Sequence, residues 1–208
     1  MTIYFQYGEK EVKHLKKVDK TLAKIIDQIG MIRREVNPDL FSALVHSIVG
    51  QQISTKAHNT VWERIKKELF NITPEVIERL PLEKIQRFGI TYKKAGYIKS
   101  IAQKILTNEF NINSLISMSD KEVCATLSKL NGVGVWTAEM LMIFSMQRPN
   151  VLSYGDLAIH RGLQIVYNKT NIEKDLFNAY WKRFTPYASV ASLYLWAVAG
   201  GAIDDMNN

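Results

Sequence analysis

Two glycines one residue apart, in the run Leu130-Asn131-Gly132-Val133-Gly134-Val135-Trp136-Thr137-Ala138, are the feature of this chain with the clearest chemical use. Glycine reaches positive φ without a Cβ penalty, so the pair permits a tight bend between two helices. The helix that restarts beyond the bend presents several backbone N–H groups with no partner in its own ladder. With the helix dipole, those donors form an anion site suited to a backbone phosphate. Such a site reads no base and would hold a nucleic acid without regard to sequence. A Gly-x-Gly taken alone is more often an ordinary turn. Asp156 stands at the start of another helical stretch, where an Asp is a good cap for the first amides. The remaining reactive groups are sparse. A single cysteine, Cys124, excludes an internal disulfide and any four-thiolate metal or iron–sulfur site. His14, His46, His58 and His160 lack metal-ligand spacing and read as surface or hydrogen-bonded residues.

The elements that must position these groups are helical. Val12, Leu15, Leu22, Ile25, Ile26 and Ile29 recur at helical spacing and stop at Gly30. Phe41, Leu44, Val45, Ile48 and Val49 fall on one face of a second helix. Trp62, Ile65 and Leu69 lead to a break around Asn71–Pro74, and short helices are predicted near Pro74–Leu80 and Leu82–Phe88. Tyr92–Leu106 is amphipathic, with Ile98, Ile101, Ala102 and Ile105 inward. Ser119 and Glu122 form a capping box for a helix running to Leu130. Trp136–Met146, Leu157 to about Tyr167, Glu173–Phe184 and Tyr187–Ala199 follow. No strand ladder, repeat or linker is evident. The expectation is an all-α protein of about ten to twelve helices.

Composition narrows the partners. The chain has 208 residues, 47% of them hydrophobic and 23% charged, which suits an ordinary globular core rather than disorder. A net charge of +7 suits a polyanionic partner, nucleic acid first. No stretch reaches the roughly 18 apolar residues of a membrane span. The lysine-studded N-terminus (Lys10, Lys13, Lys16, Lys17, Lys20) has no apolar core like that of a secretory signal, so an intracellular, reduced protein is expected.

The pattern Leu-x-Gly-Val-Gly-x-x-Thr-Ala between two helices resembles the helix–hairpin–helix of the endonuclease III-like superfamily of DNA glycosylases. Asn131 stands where that family commonly has Pro. The resemblance continues through Arg148–Gly162, which looks like the loop and helix start that carry the family's catalytic Asp, and Gly155 stands where alkylbase members often have a second acidic residue. It implies two helical lobes with the DNA- and base-binding cleft between them, residues 1–40 plus 160–208 forming one and 41–159 the hairpin lobe. It implies that Asp156 is catalytic. Cleaving an N-glycosidic bond leaves a sugar with oxocarbenium character, and a fixed carboxylate stabilises that charge or orients the attacking water.

Relatives that also cut the backbone carry a Lys two residues after the second glycine, whose amine forms a Schiff base. Trp136 occupies that place, the pattern of the 3-methyladenine DNA glycosylase II family, and an indole forms no imine. The resemblance puts Trp136, Met140 and Trp196 in an aromatic pocket that favours electron-poor, often cationic bases. Phe41–Ser54 resembles the segment ending in the intercalating loop, with Gln52 the wedge candidate and Gln51 and Ile53 beside it. Lys93 and Lys94 are candidate phosphate contacts, with Gly132, Val133, Gly134 and Thr137 of the hairpin. The carbonyls of Ser128, Leu130 and Val133 match positions that hold a Na⁺ or K⁺ ion in relatives. No other cofactor is expected.

The reading is a monomeric, monofunctional glycosylase for alkylated bases in double-stranded DNA, cytoplasmic and nucleoid-associated in a prokaryote or nuclear in a eukaryote. A non-catalytic helix–hairpin–helix damage sensor, a helical scaffold with a basic face, and a glycosylase for deaminated or oxidised bases remain as alternatives.

Overall fold

Apolar residues at helical spacing, closed at their ends by Ser, Thr, Asp and Gly, produce a chain that is almost wholly helical. The structure, a computed structural model, describes residues 2–203. These contain twelve α-helices, one 3₁₀ helix and a ladder of two short strands. The chain divides into two units, residues 1–36 with 147–208, and residues 37–146.

The first unit opens with β1 (Ile3–Tyr4), α1 (Glu9–Val18), α2 (Lys20–Ile29) and β2 (Glu35–Val36). The strands pair antiparallel, Ile3 with Val36 and Tyr4 with Glu35. Two residues per strand are too few to leave an alternation in the sequence, so this ladder corrects the expectation of no strand pairing. The apolar spacing from Val12 to Ile29 reads as one helix but folds as two. Asp19 takes an extended conformation and its carboxylate accepts the Leu22 N–H at 2.8 Å, capping α2. The same carboxylate, only 4% exposed as a residue, accepts the Tyr167 hydroxyl (2.9 Å) and the Arg183 guanidinium (2.8 Å). Burial and the nearby Asp19 charge push the Tyr167 phenol well above its usual range. Helices α10 (Leu157–Tyr167), α11 (Lys174–Phe184) and α12 (Ala188–Ala199) complete the unit. Helix α12 is apolar around most of its circumference and runs buried through the core, with Tyr194 and Leu195 fully enclosed. At Gly162, α10 crosses it backbone to backbone, and a Cβ there would stand 2.4 Å from the Leu195 carbonyl oxygen.

The second unit is built on α3 (Leu40–Gly50), whose Leu44, Ile48 and Val49 are fully buried. It packs on α4 (Thr55–Glu68), α7 (Tyr92–Leu106), the 3₁₀ helix Ile112–Ser117 and α9 (Val135–Phe144). Two short helices, α5 (Pro74–Arg79) and α6 (Leu82–Gln86), lie against α7. Pro74 is preset for the first turn of α5 behind its Thr73 cap. Helix α8 (Asp120–Leu127) carries the expected capping box, Ser119 N–H donating to the Glu122 carboxylate at 2.8 Å and Glu122 N–H to the Ser119 hydroxyl at 3.4 Å. The Ser119 hydroxyl also donates to the Glu122 carboxylate at 2.6 Å, and that bond, with the one from the Ser119 N–H, holds the Glu122 carboxyl below the usual range. No described helix is long and apolar enough to cross a membrane.

The boundaries differ from those expected. Residues 147–159 belong with the terminal helices because α12 holds them: the Ser189 hydroxyl donates to Arg148 O (2.6 Å) and accepts from Val151 N–H (2.9 Å). Asp156 therefore shares a unit with α12, not with the glycine hairpin.

Candidate active site

Asp156 is set by local and distant sequence together. It is the N-cap of α10, and its Oδ1 accepts from the backbone N–H groups of Ala158 (2.9 Å) and Ile159 (3.0 Å). The indole N–H of Trp196, forty residues away on α12, reaches the same oxygen at 3.3 Å. Three donors on one oxygen fix the carboxylate's orientation. The residue keeps 8% of its surface exposed, between Tyr154 at 39% and Leu157 at 86%. The side chain is thus the cap of α10, and a small part of the residue's surface still reaches solvent.

The loop before Asp156 is tied down along its length. Ser192 donates from α12 to Val151 O (3.3 Å), Ser153 is fully buried, and Asp156 N–H reaches back to Ser153 O (3.4 Å). His160, one turn into α10, donates through Nε2 to Tyr154 O at 2.7 Å and stacks on Phe177 of α11. Tyr154 meets both rings edge-on at 5.0 Å. Sequence reading missed Ser189, Ser192, His160 and Phe177 as supports. Ser189 and Ser192, hydroxyls inside an otherwise apolar helix, were the available signal, since buried hydroxyls need partners.

In the second unit the glycine hairpin forms as expected. Gly132 has φ 82°, and a Cβ on it would fall 2.1 Å from the Tyr97 ring, so only glycine fits. Gly134 starts α9 with no side chain to cap its first turn. The Val133 amide is already used in the turn, donating to Leu130 O at 3.1 Å. Val133 and Thr137 turn their side chains inward and are 5% and 2% exposed. Trp136 is partly exposed at 37%, while Met140, one turn on, is buried.

The intercalation candidates separate into two kinds. Gln52 and Ile53 are exposed, Gln52 with φ 56°. Gln51 is directed inward, its amide donating to Gly132 O (2.9 Å) and the Thr137 hydroxyl (3.1 Å). Lys94 is likewise occupied, its ammonium donating to Val49 O (2.9 Å) and Gln51 O at the end of α3, and burial lowers its pKa. Lys93 is exposed, its ammonium 5.9 Å from the Tyr97 ring centre. No cluster of three His, Cys, Asp or Glu suited to a metal occurs among the described residues.

A profile of the HhH-GPD superfamily of base excision DNA repair proteins matches residues 45–186, which run from the middle of α3 to just past α11 and include both the hairpin and Asp156. The chain belongs to this superfamily. Among HhH-GPD relatives, DNA-3-methyladenine glycosylase 1 of Schizosaccharomyces pombe is 26% identical over 191 residues, covering 88% of this chain and 84% of that protein. A solved 3-methyladenine DNA glycosylase from the same yeast, in complex with abasic DNA, superposes with a TM-score of 0.83 over 96% of this chain and 100% of that one, at 25% identity. A DNA-3-methyladenine glycosidase from Bacillus halodurans gives a TM-score of 0.82 and 32% identity, over 95% and 93% of the two chains. An 8-oxoguanine glycosylase/lyase from Clostridium acetobutylicum, at 21% identity and a TM-score of 0.78, shares the fold.

Proposed function

We propose that this protein is a monofunctional DNA glycosylase that hydrolyses the N-glycosidic bond of alkylated bases, of the 3-methyladenine type, in duplex DNA. The observation that carries the reading is the carboxylate of Asp156, oriented by the first turn of α10 and by Trp196, in a chain of the HhH-GPD superfamily. As the C1′–N bond breaks, its electron pair leaves with the base and the sugar gains positive charge. Asp156 stabilises that charge, and water attacks C1′, losing its proton to the carboxylate or to solvent. An alkylated purine leaves readily because it already carries positive charge.

The candidates for selecting an electron-poor base, by stacking and cation–π attraction, are Trp136 and Met140 in one unit and Trp196 in the other. Trp136 stands in the first turn of α9, where lyase relatives carry their Schiff-base lysine, so the reaction stops at the abasic site. The amides of the Gly134–Trp136 turn and Lys93 hold backbone phosphates, while Gln52 and Ile53 enter the base stack. The carbonyls of Ser128, Leu130 and Val133 suit a Na⁺ or K⁺ ion. They are hard oxygen donors in one turn, and the Val133 N–H bond to Leu130 O uses only one of that oxygen's two lone pairs. Bound there, the ion would add positive charge beside a phosphate. The protein acts as a monomer in the compartment that houses the chromosome.

The test is a panel of duplexes, each with one 3-methyladenine, 7-methylguanine, ethenoadenine, hypoxanthine or 8-oxoguanine, scored for abasic sites and treated with borohydride. Release of methylated purines without a covalent adduct is expected. Salt-sensitive binding with no release from any duplex would favour a damage sensor instead.

A further inference from the structure

Gln51 read from sequence as one of three residues at a DNA-facing tip, yet both donors of its side-chain amide are used inside the protein. Nε2 donates to Gly132 O at 2.9 Å and to the Thr137 hydroxyl at 3.1 Å. Gly132 O is only an acceptor, which fixes which end of the amide faces it. The two partners lie on either side of the glycine bend, one in the turn and one in the first turn of α9. The Gln51 backbone is held as well, because the Lys94 ammonium binds Gln51 O and Val49 O, closing carbonyls at the C-terminal end of α3.

The neighbouring packing leaves little slack. The His58 ring of α4 lies against Gly50, where a Cβ would come within 2.7 Å of it, and His58 Nε2 donates to His46 O at 3.0 Å. Tyr97 of α7 fills the space beside Gly132. On the far side of the tip, the Ser54 hydroxyl caps α4 through the Ala57 N–H at 3.3 Å. Between these anchors Gln52 sits at φ 56°, a conformation disfavoured for any residue with a Cβ and kept only where the surroundings enforce it.

We propose that Gln51 is a positioning residue, a strut that locks the Gln52–Ile53 tip to the glycine hairpin so that both engage a duplex as one body. The hairpin's hold on the backbone then sets where the tip enters the base stack. This rests on the reading above, that hairpin and tip both meet DNA. It separates two quantities that would otherwise move together. Phosphate contacts set duplex affinity and its salt slope, whereas the position of the tip sets how well a base is everted.

The test uses the full chain and Gln51→Met, which keeps length and loses both donors. Affinity is measured on undamaged duplex across a salt series. Eversion is read from 2-aminopurine fluorescence in a duplex with that base beside a tetrahydrofuran abasic analogue, and excision from single-turnover release of 3-methyladenine. Undamaged-duplex affinity and salt slope should stay within about twofold, while the fluorescence gain and the release rate fall about tenfold. Thr137→Val should show a smaller loss alone and add little in the Gln51→Met background, as expected for partners in one network. Gln51→Asn, which keeps the amide but is one methylene shorter, serves if Gln51→Met lowers the unfolding midpoint. Unchanged fluorescence and release would overturn the proposal, as would an undamaged-duplex affinity that falls as far as excision does. A wild type that binds and everts but releases no base would instead remove the enzymatic reading, and the fluorescence comparison would still decide the strut.

Discussion

Gly162→Ala probes the crossing that brings Asp156 and Trp196 together. A Cβ at residue 162 would lie 2.4 Å from Leu195 O and 2.9 Å from Leu195 C, whereas ordinary contact begins at 3.4 Å. The obstruction is backbone and cannot rotate away, so α10 and α12 must part by 1.0 Å, the difference between 3.4 and 2.4 Å. Overpacking of this kind costs about 1–3 kcal/mol, and backbone contact places it near the upper end. For a chain of this size that lowers the unfolding midpoint by roughly 5–10 °C. Trp196 follows Leu195 directly, so the same displacement takes its 3.3 Å bond to Asp156 beyond hydrogen-bonding range. Losing a donor to a charged acceptor costs about 1.5–3 kcal/mol, which corresponds to base release slower by about tenfold to a hundredfold. Calorimetry and single-turnover release from a 3-methyladenine duplex, well below the lowered midpoint, read the two effects. A midpoint within about 1 °C of wild type would show that the helices do not cross at this distance. Normal release from a destabilised protein would show that the crossing does not position the carboxylate.

Trp196→Phe keeps an aromatic ring and removes the N–H; single-turnover release should slow about tenfold, and equal rates would mean the indole bond does not orient Asp156. Asp19→Asn leaves Arg183 without its charged partner. Because Arg183 is nearly half exposed, the loss is about 1–3 kcal/mol rather than the larger cost of a fully buried pair, and urea unfolding measures it. Burial, helped by the nearby Lys94 charge and opposed by the bond to His46 O, holds His58 below the ordinary 6.5. The unfolded chain then binds the proton first, so His58's contribution is complete above pH 6.5 and is lost as pH falls below it. The drop in unfolding midpoint between about pH 7.5 and 5.5 should be smaller for His58→Gln than for wild type, and an equal drop would remove His58 as a contributor.

What could be read in advance was local. The Ser119–Glu122 box, the start at Pro74 and the Gly132 bend each depend on a few adjacent residues, and each stands where the sequence put it. Asp19 escaped notice because the apolar period runs through it unbroken from Val12 to Ile29. Its use as a cap is local, but its burial follows from Tyr167 and Arg183, about 150 residues on. Gln51 and Lys94 looked solvent-facing because polar residues at a helix end usually are. Their inward bonds depend on carbonyls of α3 and of the hairpin that no spacing reveals. Asp156 was legible as the cap of α10 from its type and position, whereas the forty-residue link to Trp196 was not.

The central claim is that the negative charge of Asp156 drives bond cleavage. Single-turnover release of 3-methyladenine from duplex DNA by wild type and Asp156→Asn tests it directly, since Asn keeps the side chain's shape and an oxygen able to cap α10. A loss of at least about a hundredfold, with duplex affinity and unfolding midpoint retained, is the expected result. Equal release by the two proteins would contradict the account.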